Sequence, residues 1–153
     1  MKKLPLATPP SARAKVGELL LWLSDEIIEI TNEELNKKNI SISKLAVLLL
    51  FLREDLPHNA LKPSAIAARL RITRASVTNH LNWLEQKGYI QRRKLGKDQR
   101  NVDVQITDSG YVFLKEILPA FWGVCADFSK ALTDEQVETM LTLLAKIHDA
   151  IEC

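Results

Sequence analysis

The sequence contains few of the features that indicate disulfide bonding or metal binding. Only two cysteines occur among the 153 residues, Cys125 and Cys153, and they form no CxxC pair. This low cysteine content predicts a protein of the reducing cytoplasm. The three histidines, His58, His80 and His148, have no cysteine, carboxylate or second histidine at metal-ligand spacing, so we expect no metal and no cofactor.

Long apolar runs and catalytic patterns are also missing. The longest apolar run, residues 45–52, is far shorter than the roughly 20 residues that span a bilayer, which predicts no membrane association. Residues 1–10 lack the apolar stretch of a signal peptide and predict a flexible N-terminal tail. No nucleophile has a base at a plausible spacing and no Gly-rich phosphate loop occurs, so an enzyme is the weakest interpretation.

What the sequence does contain is a local excess of positive charge. From Arg69 to Arg100 there are nine Lys or Arg and two acidic residues, whereas the rest of the chain has 12 basic and 17 acidic residues. A basic segment on an acidic chain is typical of a surface that binds a polyanion. An ordinary solvated face is the alternative interpretation of the charge clustering alone.

The same segment has the pattern of a helix-turn-helix followed by a β-hairpin. Residues 63–70 and 74–88 predict two short helices, with Thr73 as N-cap and Gly88 as the C-terminal stop. Residues 89–94 and 101–106 then alternate in polarity, which predicts two strands joined by a loop at residues 95–100. Such a hairpin beside a helix-turn-helix is a wing.

Helical patterns flank this segment on both sides. They predict a long helix capped by Ser11, a very apolar helix, a helix that starts after Thr107 with Pro119 inside it, and a last helix with a capping box at Thr133 and Gln136. The predicted bounds of the first three are 11–38, 43 to about 54, and 108 to about 132. The fold class is therefore mainly α with a small β-hairpin wing.

The second helix of the pair has an unusual solvent face. At 100° per residue Val77, Leu81 and Leu84 point to the core. The residues that point away are small or carry amides: Ala75, Asn79, Asn82 and Gln86. The hydroxyl residues Ser76 and Thr78 lie on the flanks. Such a face allows close approach to base edges, because an amide can bond adenine N6 and N7 together. A plain exposed helix is the alternative. The helix-turn-helix and wing context favours a recognition helix with Arg74 at its start.

Basic residues on the hairpin suit contacts with phosphates or a narrow minor groove. Gly96 allows the tip to turn, and Asp98 can hold Arg100 through a charge-assisted hydrogen bond. The candidate DNA-contacting residues of the hairpin are Arg92, Lys94, Lys97 and Arg100.

Residues 61 to about 115 resemble the winged helix-turn-helix of the MarR family of bacterial transcription regulators. The resemblance lies in "LEQKGYIQR" at the helix-to-strand joint, "DQR" at the wing tip and "ITDSG" at the start of the next helix. By position it implies that Ala75, Ser76, Thr78 and Asn79 read bases and that Arg100 is the wing arginine. Gln99 stands where many members have a second arginine.

The resemblance also implies an assembly and a mode of regulation. Members are homodimers that bind palindromic operators in double-stranded DNA, usually as repressors, and many release DNA when a small, often phenolic, inducer binds between the lobes. It implies a division into an N-terminal tail at 1–10, a helical dimerisation region at 11–40 and 108–153, and a winged helix-turn-helix DNA-binding domain at 41–107.

Other interpretations stay open for several features. A winged helix can serve as a protein-interaction module without DNA binding. Trp22 and Trp122 are candidates for an inducer pocket or a dimer contact, although aromatic residues at helical spacing are more often core residues. Cys125 lies on an apolar stripe, which favours a structural role over a redox role.

Overall fold

The structure, a computed structural model, describes residues 11–52, 60–94 and 102–152. Within these ranges the chain forms six helices and three short strands, which in chain order are α1 (Ala12–Asn36), α2 (Ile42–Leu50), β1 (Ala60–Leu61), α3 (Pro63–Leu70), α4 (Arg74–Gln86), β2 (Ile90–Lys94), β3 (Val102–Ile106), α5 (Asp108–Asp127) and α6 (Asp134–Glu152). The predicted mainly α-helical fold with a β-hairpin is confirmed.

Side-chain caps fix the starts of four helices as the sequence predicts. Ser11, Thr73 and Thr107 each accept a hydrogen bond from the backbone N–H three residues later. Thr133 and Gln136 form a reciprocal capping box, in which the Thr133 N–H donates to Gln136 Oε1 at 2.9 Å and the Gln136 N–H donates to Thr133 Oγ1 at 3.3 Å. These bonds satisfy N–H groups that have no partner inside the helix.

Four helices end earlier than the sequence pattern predicts, α1 and α4 by two residues and α2 and α5 by more. α2 ends at Leu50 rather than near Glu54, and α5 ends at Asp127 rather than near Leu132. After each end the chain tightens into bonds that reach back three residues, as from Phe51 N–H to Leu48 O. An apolar periodicity can continue through such a turn, since it records burial and not the hydrogen-bond pattern.

The sheet has one strand more than the predicted hairpin. The strand order is β1-β3-β2, and all pairs are antiparallel. β1 pairs Leu61 with Val104, while β2 pairs Arg92 with Val104 and Lys94 with Val102. The buried side chains of Leu61, Val104 and Ile106 attach the hairpin to the core, so its base has a fixed position beside α3 and α4.

The core lies between α2, α3, α4, the sheet and the first half of α5. It includes an uninterrupted set of side chains that are essentially inaccessible to solvent: Leu45, Val47, Leu48, Ile66, Val77, Leu81, Leu84, Ile90, Val104, Leu114 and Ile117. At roughly 25 cal/mol per Å² of apolar surface, burial of side chains of this size is the main stabilising contribution. α4 buries Val77, Leu81 and Leu84 as predicted, and its other face is left to solvent.

The start of α5 is attached directly to the turn between α4 and β2. Gly88, at φ 76°, ends α4, and its carbonyl accepts a 2.6 Å hydrogen bond from Thr107 Oγ1. The Thr107 N–H donates to Tyr89 O at 3.0 Å. A Cβ added at Gly110 would lie 2.2 Å from the same carbonyl oxygen. The absence of a side chain at Gly110 therefore permits this backbone contact.

The helices outside the winged helix expose much apolar surface. α1 packs against α5, whereas α6 has no buried residue among its described side chains. Apart from Leu52, every exposed large apolar side chain of the described residues lies in residues 16–30 or 112–151. On α6 these side chains include Met140, Leu141, Leu144 and Ile151.

Candidate nucleic-acid interface

The exposed face of α4 has the composition that the sequence predicts. Ala75, Asn79 and Asn82 are exposed, as are Arg74 and Thr78, and Ser76 is half-buried. The hydroxyls make local bonds: Thr78 Oγ1 donates to Arg74 O at 3.0 Å, and Ser76 Oγ lies 2.9 Å from Thr73 Oγ1. Hydroxyl oxygens in such bonds still have free lone pairs. The helix therefore presents small, uncharged, hydrogen-bonding groups to solvent.

Asn79 and Asn82 lie one turn apart on this face but differ in their surroundings. Asn79 has no hydrogen-bond partner among the residues that the structure describes. Asn82 Oδ1 accepts a hydrogen bond of 2.8 Å from Arg92 Nη2, across the junction of α4 and β2. Asn82 and Arg92, both predicted to contact DNA, therefore bond to each other.

Glu85 completes this contact, and the sequence analysis did not identify it as a functional residue. Its Oε1 accepts a 3.2 Å hydrogen bond from the backbone N–H of Arg92, and its Oε2 lies 3.5 Å from Arg92 Nη1. The sequence did contain a feature that distinguishes Glu85, because it is one of only two acids between Arg69 and Arg100. An acid among so many basic residues is a candidate for an ion pair with one of them, here Arg92.

The basic wing continues beyond Arg92. Arg93 and Lys94 are exposed on β2, and Lys94 is the last described residue before the loop. The predicted tip residues Gly96, Lys97, Asp98 and Arg100 lie outside the described residues. Their assignment as wing support and DNA contacts stays a prediction.

A cationic cavity lies at the N-terminal end of α4. It has a volume of about 380 Å³ and is formed by the start of α3, the start of α4 and β3, with this lining: Lys62, Pro63, Ser64, Arg74, Val77, Thr78 and Val102. Lys62 is the N-cap of α3 and makes no side-chain cap bond. The first N–H groups of a helix attract anions, and Lys62 and Arg74 add charge. Lys62 was not identified from the charge count, because it lies before the basic segment from Arg69 to Arg100.

Trp83 has a structural environment behind this face. Its ring lies under Lys44 Nζ at 4.5 Å and Lys87 Nζ at 5.5 Å from the centroid, and it meets the ring of Tyr89 edge-on. Cation–π contacts of this kind stabilise the joint between α2 and α4. Burial, together with the charge of Lys44, lowers the pKa of the neighbouring His80 below its usual 6.5. His80 is therefore neutral at pH 7 and adds no charge to the surface.

Other cavities and clusters give little further chemistry. A cavity of about 270 Å³ between α1 and α5 has Ile30, Val124 and Phe128 as its apolar wall. Neither Trp22 nor Trp122 lines this cavity or the cationic one, and their role as pocket residues stays a prediction. Burial raises the pKa of the Cys125 thiol, which makes its thiolate scarce at neutral pH.

The described residues contain neither a metal-binding cluster nor a membrane-spanning helix. Among residues 11–52, 60–94 and 102–152 there is no group of three or more His, Cys, Asp or Glu side chains arranged to hold a metal ion. Over the same ranges, every helix is too short or too polar to cross a membrane.

Comparison with known proteins gives consistent matches. Residues 52–102 match the model of the MarR family. The chain is 31% identical over 120 residues to the HTH-type transcriptional repressor MdtR of Bacillus subtilis strain 168, covering 78% of this chain and 75% of that protein. It is 28% identical over 143 residues to the transcriptional repressor MprA of Escherichia coli strain K12, covering 94% and 80%.

A solved structure has the same fold. The crystal structure of Sco3205, a MarR family transcriptional regulator from Streptomyces coelicolor, in complex with DNA, superposes with a TM-score of 0.76 at 18% identity and covers 92% of both chains. Identity at this level is evidence of a shared fold only, and the coverage shows that this fold extends over most of the chain.

Proposed function

Because the chain belongs to the MarR family of transcription regulators, we propose that it binds double-stranded DNA sequence-specifically and represses transcription as a homodimer. The observation that carries this proposal is the exposed face of α4, where Ala75, Asn79 and Asn82 present small or amide side chains and where the helix contacts the basic strand β2. A face of this composition fits the major groove, because small side chains allow the helix to lie close to the bases and amides can bond base edges.

Around this face the basic groups suit the phosphate backbone. Lys62 and Arg74 at the starts of α3 and α4, and Arg93 and Lys94 on β2, are exposed, so a duplex lying along α4 would meet cations from each of these elements. Phosphate contacts fix the orientation of a protein on DNA, and base contacts provide the specificity. Of the wing residues, Arg100 is proposed to reach the minor groove.

We propose that the apolar face of α6 and the exposed apolar residues of α1 form the dimer interface. Leu141, Leu143 and Leu144 are 56%, 54% and 37% exposed in the protomer. An exposed apolar stripe on a helix with no buried residue among its described side chains is typical of a surface that binds a partner. A two-fold partner that covers it would place residues 11–40 and 108–153 in a dimerisation region and leave 41–107 free for DNA.

Regulation by a small ligand is a second part of the proposal. A phenolic inducer would bind beside α5, where the cavity bounded by Ile30, Val124 and Phe128 offers apolar contact and the carboxylates of Glu33 and Asp127 can accept a hydrogen bond from a phenolic hydroxyl. α5 joins the proposed dimerisation region to the turn after α4, so a ligand there could change the separation of the two recognition helices. We propose a cytoplasmic location and no enzymatic activity, as for transcription regulators generally.

The test is selection of binding sites from randomised DNA duplexes, followed by titration of the selected duplex at increasing salt. We expect enrichment of a palindrome with half-site centres about 10 bp apart, since the recognition helices of such dimers lie about 34 Å apart. The association constant should fall by powers of ten between low and moderate salt. A flat salt dependence, or no enrichment with correctly folded protein, would instead favour the protein-interaction module.

A further inference from the structure

The contact between Asn82, Arg92 and Glu85 assigns different tasks to the two amides of the recognition helix. We propose, on the basis of the proposed function, that Arg92 and Glu85 are positioning residues that hold Asn82 as a hydrogen-bond donor. Asn82 then recognises an acceptor on a base edge in the major groove: a purine N7, guanine O6 or thymine O4. Asn79 remains the amide that can read adenine through both of its polar atoms.

The orientation of the Asn82 amide follows from the chemistry of its partner. A guanidinium has five N–H donors and no acceptor. The Asn82 atom that lies 2.8 Å from Arg92 Nη2 must therefore be the carbonyl oxygen. Rotating the amide by 180° would direct its NH₂ group at another donor and lose a charge-assisted bond. The NH₂ group consequently points away from Arg92, on the exposed face of α4.

Glu85 holds Arg92 at two points. Its carboxylate accepts from the backbone N–H of Arg92 at 3.2 Å and pairs with the guanidinium at 3.5 Å. Asn82 and Glu85 are three residues apart on α4 and share a face, so the guanidinium lies across one helical turn. The side chain of Arg92 is only 28% exposed and that of Glu85 is 40% exposed. The arginine is thus fixed on the helix and is not directed at a phosphate.

The negative charge of Glu85 gives an independent reason for this assignment. An exposed carboxylate beside a DNA-binding face repels phosphates, and removing it should strengthen non-specific binding. Its presence in a segment with nine basic residues and one other acid is explained if it orients a specificity contact. A hairpin that bound DNA through positive charge alone would bind more tightly without the carboxylate of Glu85.

Asn79 supplies the contrast. It lies one turn before Asn82 on the same exposed face and has no hydrogen-bond partner among the described residues. Its amide can rotate and offer a donor and an acceptor together, as adenine requires. Asn82 has its acceptor engaged and offers mainly its donor. The two amides should therefore prefer different bases at neighbouring positions of each half-site.

The experiment compares base preferences of variants, using full-length protein and randomised DNA duplexes, and then measures affinity on the selected duplex and its single-base derivatives. Asn82→Ala should lower discrimination at one base pair per half-site by about five- to tenfold, the range of one hydrogen bond. Asn82→Asp keeps an acceptor for Arg92 and removes the donor. It should move the preference at that pair to cytosine, whose N4 amino group is a donor.

Two further variants test the positioning residues. Arg92→Lys keeps the charge but cannot bond Asn82 and Glu85 together, because a lysine lacks the planar fork. It should lower discrimination at the same pair while leaving the salt dependence unchanged. Glu85→Gln should lower this discrimination and increase binding to unrelated DNA. The matched control is Arg13→Lys, at an exposed position of α1 outside the proposed DNA-binding domain, which should leave the base preference intact.

The possible outcomes distinguish a failure of the proposed function from a failure of the role proposed for Asn82. If the unmodified protein selects no sequence, the proposed function is wrong. If it selects a palindrome and Asn82→Ala weakens all sequences equally, Asn82 contacts a phosphate and the inference is wrong. Unchanged preferences in Arg92→Lys and Glu85→Gln, with both variants folded by thermal unfolding, would also overturn it. Loss of discrimination at one shared base pair in all of these variants supports it.

Discussion

The side-chain oxygen of Asn32 in α1 accepts a hydrogen bond of 2.8 Å from the backbone N–H of Ile42, the first residue of α2. Ser41, which occupies the N-cap position of α2, makes no side-chain cap bond. One helix therefore caps the next across the turn between them, where Asn39 adopts the left-handed conformation at φ 58°. The link joins the proposed dimerisation region to the first helix of the winged helix.

Asn32→Ala should lower the free energy of unfolding by about 1 kcal/mol, the usual cost of losing a helix cap. Urea unfolding followed by circular dichroism measures this change. The control is Asn36→Ala on the same helix, at an exposed position, where we expect a change within about 0.5 kcal/mol. Equal effects of the two substitutions would mean that the bond to Ile42 contributes no stability.

Gly110→Ala should be strongly destabilising. The new Cβ would lie 2.2 Å from Tyr89 O and 2.7 Å from Ile106 Cγ1, so backbone must shift. We expect a loss of about 1–3 kcal/mol, as for other overpacked sites. Gly123→Ala, on the same helix with nothing within 4 Å, is the control and should be neutral or stabilising. Thermal unfolding compares the two. A stable Gly110→Ala protein would contradict the close contact of α5 with Tyr89.

His80 should make the protein less stable as the solution becomes acidic. Burial and then Lys44 lower its pKa below 6.5, so the unfolded chain binds the proton at a higher pH than the folded chain does. The contribution of neutral His80 to stability is complete above about pH 6.5 and is lost as the pH falls toward the folded pKa. NMR titration of the ring should give this lower pKa, and Lys44→Gln should raise it only in part. Titration above 6.5 would contradict the prediction.

Leu144→Asp should convert the proposed dimer into monomers. The charge would lie in the exposed apolar stripe of α6, where a partner is proposed to bury it, and a buried unpaired carboxylate is costly. Sedimentation velocity measures the oligomeric state at micromolar concentration. Thr142→Asp is the control, since Thr142 lies on the opposite, polar face of the helix. If Leu144→Asp remains dimeric, α6 is outside the interface.

Asn79→Ala and Arg100→Ala should weaken DNA binding in different ways. Loss of Asn79 should relax the preference at one base position in each half-site, because the amide is proposed to read a base edge. Loss of Arg100, which lies outside the described residues, should weaken binding to all sequences and reduce the salt dependence. Fluorescence anisotropy on matched duplexes distinguishes these effects. An unchanged affinity for Arg100→Ala at physiological salt would contradict the wing assignment.

The sequence predicted those parts of the fold that depend on neighbours along the chain. Thr73, Thr107 and Thr133 were identified as caps because a cap needs only a hydroxyl and an N–H three residues later. α3 begins at Pro63 and ends at Leu70 as predicted, since Pro favours the first turn of a helix. The amphipathic pattern of α4 also identified its buried and exposed faces correctly.

Features that depend on distant contacts were missed or incomplete. β1 has two residues, and only its pairing with β3 makes it a strand. The charge of Arg92 predicts a DNA contact, which stays a prediction, but it does not reveal the contacts of Arg92 with Asn82 and Glu85, which depend on the packing of β2 on α4. The sequence did not identify Asn32 as a cap for α2, because Asn32 lies ten positions before Ile42, whose N–H it caps. Local patterns do not encode such partners.

The contact between Gly110 and Tyr89 has a mechanical consequence. The first turn of α5 lies against backbone with no side chain between them that could change rotamer and absorb a displacement. A tilt of α5 should therefore move the turn between α4 and β2. Movement of this turn would in turn move the recognition helix α4 and the base of the hairpin. In the proposed dimer, with the proposed inducer beside α5, this direct backbone contact would couple operator spacing to inducer response.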